Sequence, residues 1–298
     1  MASFTPSEMS IPEVHGFLLT AVSPRPIAFA STVDKEGNPN LAPFSFFNVF
    51  SSRPPVMIFS PARSGRTGKT KDTLNNVLEV PEVVINIVNY PMVHQMSLAS
   101  SPYAPDVNEF EKAGFTPVAS ETVKPFRVKE SPAQFECTVR EVISLGDNGG
   151  AGQLVIAEVQ RFHIHDNLLT PEGKLDPIKL DAVARNGANW YTRANADTMF
   201  EVTKPITTIG IGLDQIPEDI RSSDILSGND LGQLGNVEEL PNETDVNEYK
   251  LIDLSEVFMD LEDEPAKLEQ TLHQRAKDLL SEGKVNEAWM TLLTFNNG

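Results

Sequence analysis

Residues 60–73, Ser60-Pro61-Ala62-Arg63-Ser64-Gly65-Arg66-Thr67-Gly68-Lys69-Thr70-Lys71-Asp72-Thr73, gather Arg63, Arg66, Lys69 and Lys71 with five hydroxyl side chains, in a protein of formal net charge −18. Directly after them Leu74, Val77 and Leu78 follow the i, i+3, i+4 spacing of a helix face, with Asp72 or Thr73 placed to cap its start. A flexible cationic loop feeding a helix N-terminus brings charge, hydroxyls and unpaired backbone N–H groups to one place, which is the chemistry that holds a phosphate monoester. A solvated basic surface loop has the same composition. The run Gly65-Arg66-Thr67-Gly68-Lys69-Thr70 lacks two residues between its glycines for a P-loop, and that reading is excluded.

A second stretch, Asn40-Leu41-Ala42-Pro43-Phe44-Ser45-Phe46-Phe47-Asn48, breaks a strand-like pattern with a proline. Proline lacks an N–H and tends to end or edge a sheet ladder, so the backbone beyond Pro43 is expected to be free for another partner. The edge of a flat heteroaromatic ring such as a flavin offers alternating donors and acceptors, which an extended backbone can match. A strand end with core phenylalanines is the competing reading. In a third stretch Arg185-Asn186-Gly187 precedes Trp190 and Tyr191, so a planar cation and two ring faces could close over such a cofactor or could simply pack a seam.

The remaining candidates carry less. His163 and His165 stand at i and i+2 on one strand, without the acidic or cysteine partners of a metal site, so no metal is predicted. His163 is expected to line a pocket on the substrate side. Cys137 is the single cysteine and lies in an alternating strand pattern, which excludes an internal disulfide and suits a buried structural thiol.

These segments need elements to position them. Strands are predicted over residues 26–33, 40–42, 56–60, 82–88, 133–143 and 153–165, with a helix at 11–20 and short helices around 92–99 and 107–113. Ser51-Ser52-Arg53-Pro54-Pro55 reads as a rigid connection. No run of about eighteen apolar residues occurs and residues 1–10 lack a signal-peptide pattern, so the default location is cytoplasmic. Clustered Lys and Arg sufficient for nucleic acid are missing. Charge is uneven: residues 1–199 hold 17 Lys and Arg against 21 Asp and Glu, and residues 200–298 hold 7 against 21. The acidic third is therefore read as a separate unit, with a mobile acidic linker over 237–247 and a helical hairpin built on Leu268, Leu272, Ala276 and Leu279, then Val285, Ala288, Trp289 and Leu292.

Taken together, Pro24-Arg25-Pro26-Ile27-Ala28, the Asn40 to Asn48 stretch, Lys71-Asp72-Thr73 with Asn76, and Arg185-Asn186-Gly187 ahead of Tyr191 resemble the flavin reductase-like FMN-binding split-barrel family. The resemblance spans residues 1–200 and leaves 201–298 as an acidic extension. It implies a mainly β fold, a six-stranded antiparallel split barrel, forming a homodimer with FMN close to the subunit interface. It implies that Ser45, Phe46, Phe47 and Asn48 hold the ring, that Ser60, Arg63, Lys71 and Thr73 hold ribityl and phosphate oxygens, that Arg185 and Tyr191 lie near the ring or its substrate face, and that Arg25 is also among the cofactor-binding residues. The expected activity is hydride transfer from NADH or NADPH to FMN and onward to a small-molecule or protein acceptor. An FMN-bearing electron carrier without its own nicotinamide activity is the alternative. The acidic extension is expected to contact protein.

Overall fold

The computed structural model describes residues 1–295, and the chain divides into two compact units, Met1–Phe200 and Glu201–Gly298. The first is mainly β. Helix α1 (Ile11–Ala21) is followed by β1 (Ala28–Val33), β2 (Pro39–Phe44), β3 (Phe47–Ser52), β4 (Pro55–Phe59), α2 (Asp72–Glu79) and β5 (Glu82–Ile87). Short helices α3 (Val93–Leu98) and α4 (Glu109–Ala113) and the small pair β6 (Pro117–Val118) and β7 (Arg127–Val128) lead into the long hairpin β8 (Ala133–Ser144) and β9 (Gln153–Ile164). One more helical turn, α5 (Pro177–Leu180), precedes the hairpin β10 (Val183–Arg185) and β11 (Tyr191–Arg193).

Seven strands form one antiparallel sheet in the order β2-β1-β5-β8-β9-β4-β3. Its two free edges, β2 and β3, are consecutive in the chain and are joined only by Ser45 and Phe46. Three Cα to Cα steps of 3.8 Å reach at most about 11 Å, so the sheet must curl until its edges nearly meet. The result is a barrel left open along one slit. The expected strand count was six. The additional strand is β3, which the Arg53-Pro54 turn folds back onto β4, pairing Phe47 with Phe59 and Asn48 with Ile58. Residues 51–55 are therefore a hairpin turn and its flanks rather than a connection. Asn48, Val49 and Phe50 are all exposed, which hides the alternation by which strands are recognised.

Side chains alternate across β1. Ala28 and Ala30 face a cluster with Met57, Phe59, Ile85, Cys137 and Val155, and their small size admits Leu74 and Val77 of α2. Phe29, on the opposite face, packs with Leu41, Met92, Met96, Phe110 and Phe115. Asn86, fully buried, donates to the Phe29 carbonyl at 2.9 Å and accepts from the Val128 N–H at 2.9 Å, which ties β5 to β1 and β7. On the outer side of β2 the Leu41 N–H donates to Oε2 of Glu109 at 3.0 Å.

The second unit is helical, with α6 (Glu218–Arg221), α7 (Gly228–Leu234), α8 (Glu243–Asp253), α9 (Ser255–Asp260), α10 (Pro265–Ser281) and α11 (Val285–Leu293). The acidic stretch expected as a mobile linker contributes the first turns of α8, because Asn242 caps the Asp245 N–H at 2.9 Å and Glu243 and Asp245 face the positive end of the helix. Pro265 opens α10, and Gly283 turns the chain at φ 75° into α11. Trp289 is fully buried and donates to the Leu234 carbonyl at 3.0 Å. No helix among the described residues is long and apolar enough to cross a membrane.

Cys137 is fully buried, and burial followed by the charge of Glu136 pushes its thiol far above the ordinary range. A thiol reagent such as DTNB is expected to leave the native protein unlabelled and to titrate one thiol per chain in denaturant. Rapid labelling without denaturant would contradict this burial.

Candidate functional site

The slit between the sheet edges is where the first two sequence segments meet. Ser45 and Phe46 cross it, and the Phe46 carbonyl accepts from the Ser60 N–H at 2.9 Å. Ser60 is buried at the end of β4, and its Oγ accepts from the Gln153 N–H at 2.9 Å. The loop after Ser60 is laced to the β8–β9 turn: Arg63 N–H donates to the Ala151 carbonyl and Gly150 N–H to the Arg63 carbonyl. A Cβ on Gly149 would lie 3.0 Å from the Ser64 carbonyl oxygen, so glycine lets these two backbones come together. Phe46, Phe47, Asn48, Ser60 and Arg63 thus belong to one continuous hydrogen-bonded surface, with Ser45 next in the chain to Phe46.

The backbone expected to be free beyond Pro43 is freer in one part than another. Pro43 stays in the ladder, opposite Phe29, and Phe47 and Asn48 are paired to β4. Ser45 and Phe46 lie outside the strands, and the side of β3 away from β4 has no partner strand. Phe46 is partly exposed and takes an edge contact from the His15 ring of α1, with centroids 6.4 Å apart.

Cations of the loop separate into two groups. Arg63 is half-buried and engaged, donating to the Gly68 carbonyl at 3.3 Å and lying 3.6 Å from Asp147. Arg66, Lys69 and Lys71 are exposed, and none forms an ion pair among the described residues. Lys71 stands at the N-cap position, one residue earlier than expected and with no side-chain capping bond, so the first free amides of α2 begin at Asp72. Thr73 is buried, and its Oγ1 accepts from Asn40 Nδ2 at 2.8 Å. That bond anchors α2 to β2 and directs the threonine inward. Asn40 opens the proline-interrupted stretch, but nothing in its position marks it as the anchor of Thr73, and Gln153, which follows a glycine-rich turn, carries no local sign of its contact with Ser60.

Arg25 is buried, and its Nη1 caps the carbonyls of Leu19 and Val22 at the end of α1 while its Nη2 donates to the Asn186 carbonyl at 3.2 Å. Backbone bonds between Arg25 and Arg185 in both directions complete the join. Burial, then the like charge of Arg185, lower the Arg25 guanidinium. A Cβ on Gly187 would sit 2.2 Å from Thr20 Oγ1, so only glycine lets the Arg185–Tyr191 turn close on α1. Arg185 donates to the Ala188 carbonyl at 2.8 Å and lies 4.7 Å from the Tyr191 ring centroid. Helix α1 therefore runs from Ile11, 3.5 Å from a Cβ at Gly150, past Phe46 to the Arg185 turn.

The family model described as the flavin reductase like domain matches residues 21–179. The chain belongs to this family. An uncharacterized protein of Aquifex aeolicus is 35% identical over 190 residues, covering 63% of this chain and 94% of that protein. One from Halalkalibacterium halodurans is 38% identical over 188 residues, covering 62% and 89%. Among solved structures, nitrilotriacetate monooxygenase component B from Bacillus cereus superposes with TM-score 0.63 at 31% identity, covering 68% of this chain and 98% of that one. The 2-nitrobenzoate 2-nitroreductase NbaA of Pseudomonas fluorescens shares the fold at TM-score 0.62 and 24% identity, covering 71% and 100%. The flavin reductase match lies wholly within the β unit.

In this flavin reductase-like unit His163 stands apart from the slit, ten residues along β9 from Gln153, or roughly 33 Å at ~3.3 Å per residue. Its Nε2 donates to Oε1 of Glu136 at 2.7 Å. Glu136 is fully buried in the neighbouring strand β8. Burial alone would raise its carboxyl, but the Thr122 hydroxyl, the Glu121 and Thr122 N–H groups and His163 outweigh that and hold it down at about 2. Glu136 shares the polar positions of an alternating strand with Gln134, Thr138 and Arg140, so the sequence carries no sign that it is buried.

A folded value near 2 against an unfolded one near ~4.3 makes Glu136 stabilising above pH ~4.3, and that contribution fades as pH falls through about 2. Glu136→Gln is expected to lower stability at neutral pH by about 1.5–3 kcal/mol. Urea unfolding curves of both proteins, recorded from neutral to acid pH, should converge at the acid end; a constant gap would contradict the assignment.

Proposed function

We propose that the slit binds FMN and that the protein is an FMN-dependent oxidoreductase. The observation carrying this reading is the bond between Ser60 N–H and the Phe46 carbonyl, which joins a turn with free backbone edges to a loop of unpaired cations in a chain of the flavin reductase family. The donor set fits the group. Arg66, Lys69, Lys71 and the first amides of α2 supply what a phosphate dianion needs, and Ser45 to Asn48 supply an extended edge for a planar ring. Arg63 holds the loop to the β8–β9 turn, Thr73 holds α2 to β2, and Arg25 holds the Arg185–Tyr191 turn over α1. When bound, FMN supplies the capacity to take hydride from NADH or NADPH and to pass electrons to an acceptor. The chain's part is to orient the ring and to place donors beside the charge that reduction creates. No side chain is required as a dedicated acid or base.

Val49 and Phe50 of β3 and Phe17 and Leu18 of α1 are large apolar side chains left about half exposed or more. A second copy of the chain covering them would produce a homodimer with the slit beside the interface.

Replacing Lys71 by Ala is expected to weaken FMN binding by roughly 1.5–3 kcal/mol and to leave riboflavin binding nearly unchanged, because only FMN carries the phosphate. Lys71 is the informative choice because its side chain is exposed, whereas Thr73 is part of the packing. Fluorescence titration of both flavins measures the difference, and equal losses would refute the phosphate assignment. Anaerobic mixing of the FMN-loaded protein with NADH and with NADPH should bleach the flavin band with at least one of them. Persistent colour with both would assign the protein as an electron carrier instead.

A further inference from the structure

We propose that Asn148-Gly149, in the turn joining β8 to β9, is a site of spontaneous deamidation, and that the product loosens the cationic loop from this turn. The sequence holds three Asn-Gly pairs, Asn148-Gly149, Asn186-Gly187 and Asn297-Gly298, of which the last lies outside the described residues. The structure separates the other two.

The reaction sets the criteria. The glycine amide nitrogen gives its proton to solvent base and attacks Cγ of the preceding asparagine. The Cγ–Nδ2 bond breaks, ammonia leaves with a proton from water, and a five-membered succinimide remains. Water then adds to one of the two ring carbonyls, giving aspartate or an isoaspartyl link whose backbone runs through the former side chain. No oxidant or reductant takes part. The attacking N–H must be unpaired and reached by solvent, the asparagine amide must be able to turn, and a glycine must follow because a Cβ would shield the nitrogen.

Asn148 meets all of these. It is exposed, and neither its own N–H, its side-chain amide nor the N–H of half-buried Gly149 takes part in a hydrogen bond among the described residues. Its one bond is through the carbonyl, which accepts from the Ala151 N–H at 3.1 Å. Asn186 is the opposite case. Its N–H donates to the Trp190 carbonyl at 2.9 Å, its carbonyl accepts from Arg25 Nη2 at 3.2 Å, and its Nδ2 donates to Thr192 Oγ1 at 2.5 Å. Gly187 is buried against Thr20, out of reach of solvent base. Two identical dipeptides thus differ in reactivity through tertiary contacts alone.

The product acts through what Gly149 touches. A Cβ there would lie 3.0 Å from the Ser64 carbonyl oxygen and 3.1 Å from that of Gly65, and the next residue, Gly150, donates to the Arg63 carbonyl at 3.0 Å. An isoaspartyl link inserts one more carbon into the backbone at this closest approach, so the turn cannot keep both contacts. Either product also sets a new carboxylate next to Asp147, itself 3.6 Å from Arg63. The loop bearing Arg66 and Lys69 is then held at this side by fewer backbone bonds. Where the slit holds FMN, as proposed above, its grip on the phosphate weakens.

The test is to age the full chain at mildly alkaline pH and map it by peptide mass spectrometry, with isoaspartyl methyltransferase labelling the isoaspartyl carboxylate. Aspartate and isoaspartate are expected at position 148, faster at higher pH, with Asn186 intact; in denaturant both should convert, since folding alone protects Asn186. Asn148→Gln, whose longer side chain would have to close a six-membered ring, should fold with the same thermal unfolding and stay unmodified. Brief trypsin treatment of native protein should cut after Arg66 or Lys69 about threefold faster in the aged parent than in fresh protein or in aged Asn148→Gln. FMN affinity should fall by a similar factor; a fresh protein that takes up no FMN would refute the flavin reading and leave the mapping and proteolysis to decide this one. An unmodified position 148, conversion of Asn186 at the same rate in native protein, or equal trypsin cleavage before and after ageing overturns the proposal.

Discussion

The sheet's two free edges are neighbours in sequence, and a two-residue link between them forces the barrel to close to a slit. Everything at the site depends on that constraint. The backbone bond from Ser60 to Phe46 fixes the link from one side, and Gln153 fixes Ser60 from the other. Through these contacts β3, β4 and β9 share one junction, and the cationic loop must leave from it. The positions of Arg63 and of the glycine-rich turn then follow from backbone hydrogen bonds rather than from side-chain packing.

Around that junction, position is set by polar contacts at element ends. Helix α1 buries none of its side chains fully, yet it is capped at its start by Ser10 and Glu13 and at its end by Arg25. An N-terminal carboxylate and a C-terminal guanidinium both complement the helix dipole. The Arg185 turn is held against α1 by the close approach of Gly187 to Thr20. Such contacts specify geometry while burying little area, which is how a covering element can be placed accurately at modest gain in stability.

Much of this was readable in the sequence. Strands with apolar alternation or apolar runs, namely β1, β4, β5, β8 and β9, fell close to their observed bounds, as did the α10–α11 hairpin, since its Leu268, Leu272, Ala276 and Trp289 are buried as their spacing implied. Strand β3 was not, because its side chains Asn48 to Phe50 are unburied on both faces and carry no period-two signal. The start of α8 reads as a linker in sequence because its acids, favourable at a helix N-terminus, also typify disorder. At the site, residue types announced the cationic loop and the proline-interrupted stretch. Their division of labour was hidden: Thr73 faces inward, Arg25 serves as a helix cap, and His163 sits at the far end of β9, all set by tertiary contacts without local signatures.

The outer edge of β2 carries one more lesson. Leu41 directs its N–H away from β1 to Glu109, and with a side-chain period of two, Pro39 and Pro43 occupy the positions of the same orientation. Two of the three outward positions therefore have no N–H, and the third is already satisfied. This explains why Pro43 is compatible with an intact ladder: its missing donor would have pointed outward. It also makes β2 inert toward strand addition, since an approaching strand would find no donor to pair with. Of the two edges exposed by the slit, β3 alone offers backbone donors to another chain, so strand addition to the seven-stranded sheet is directed to one side of the barrel.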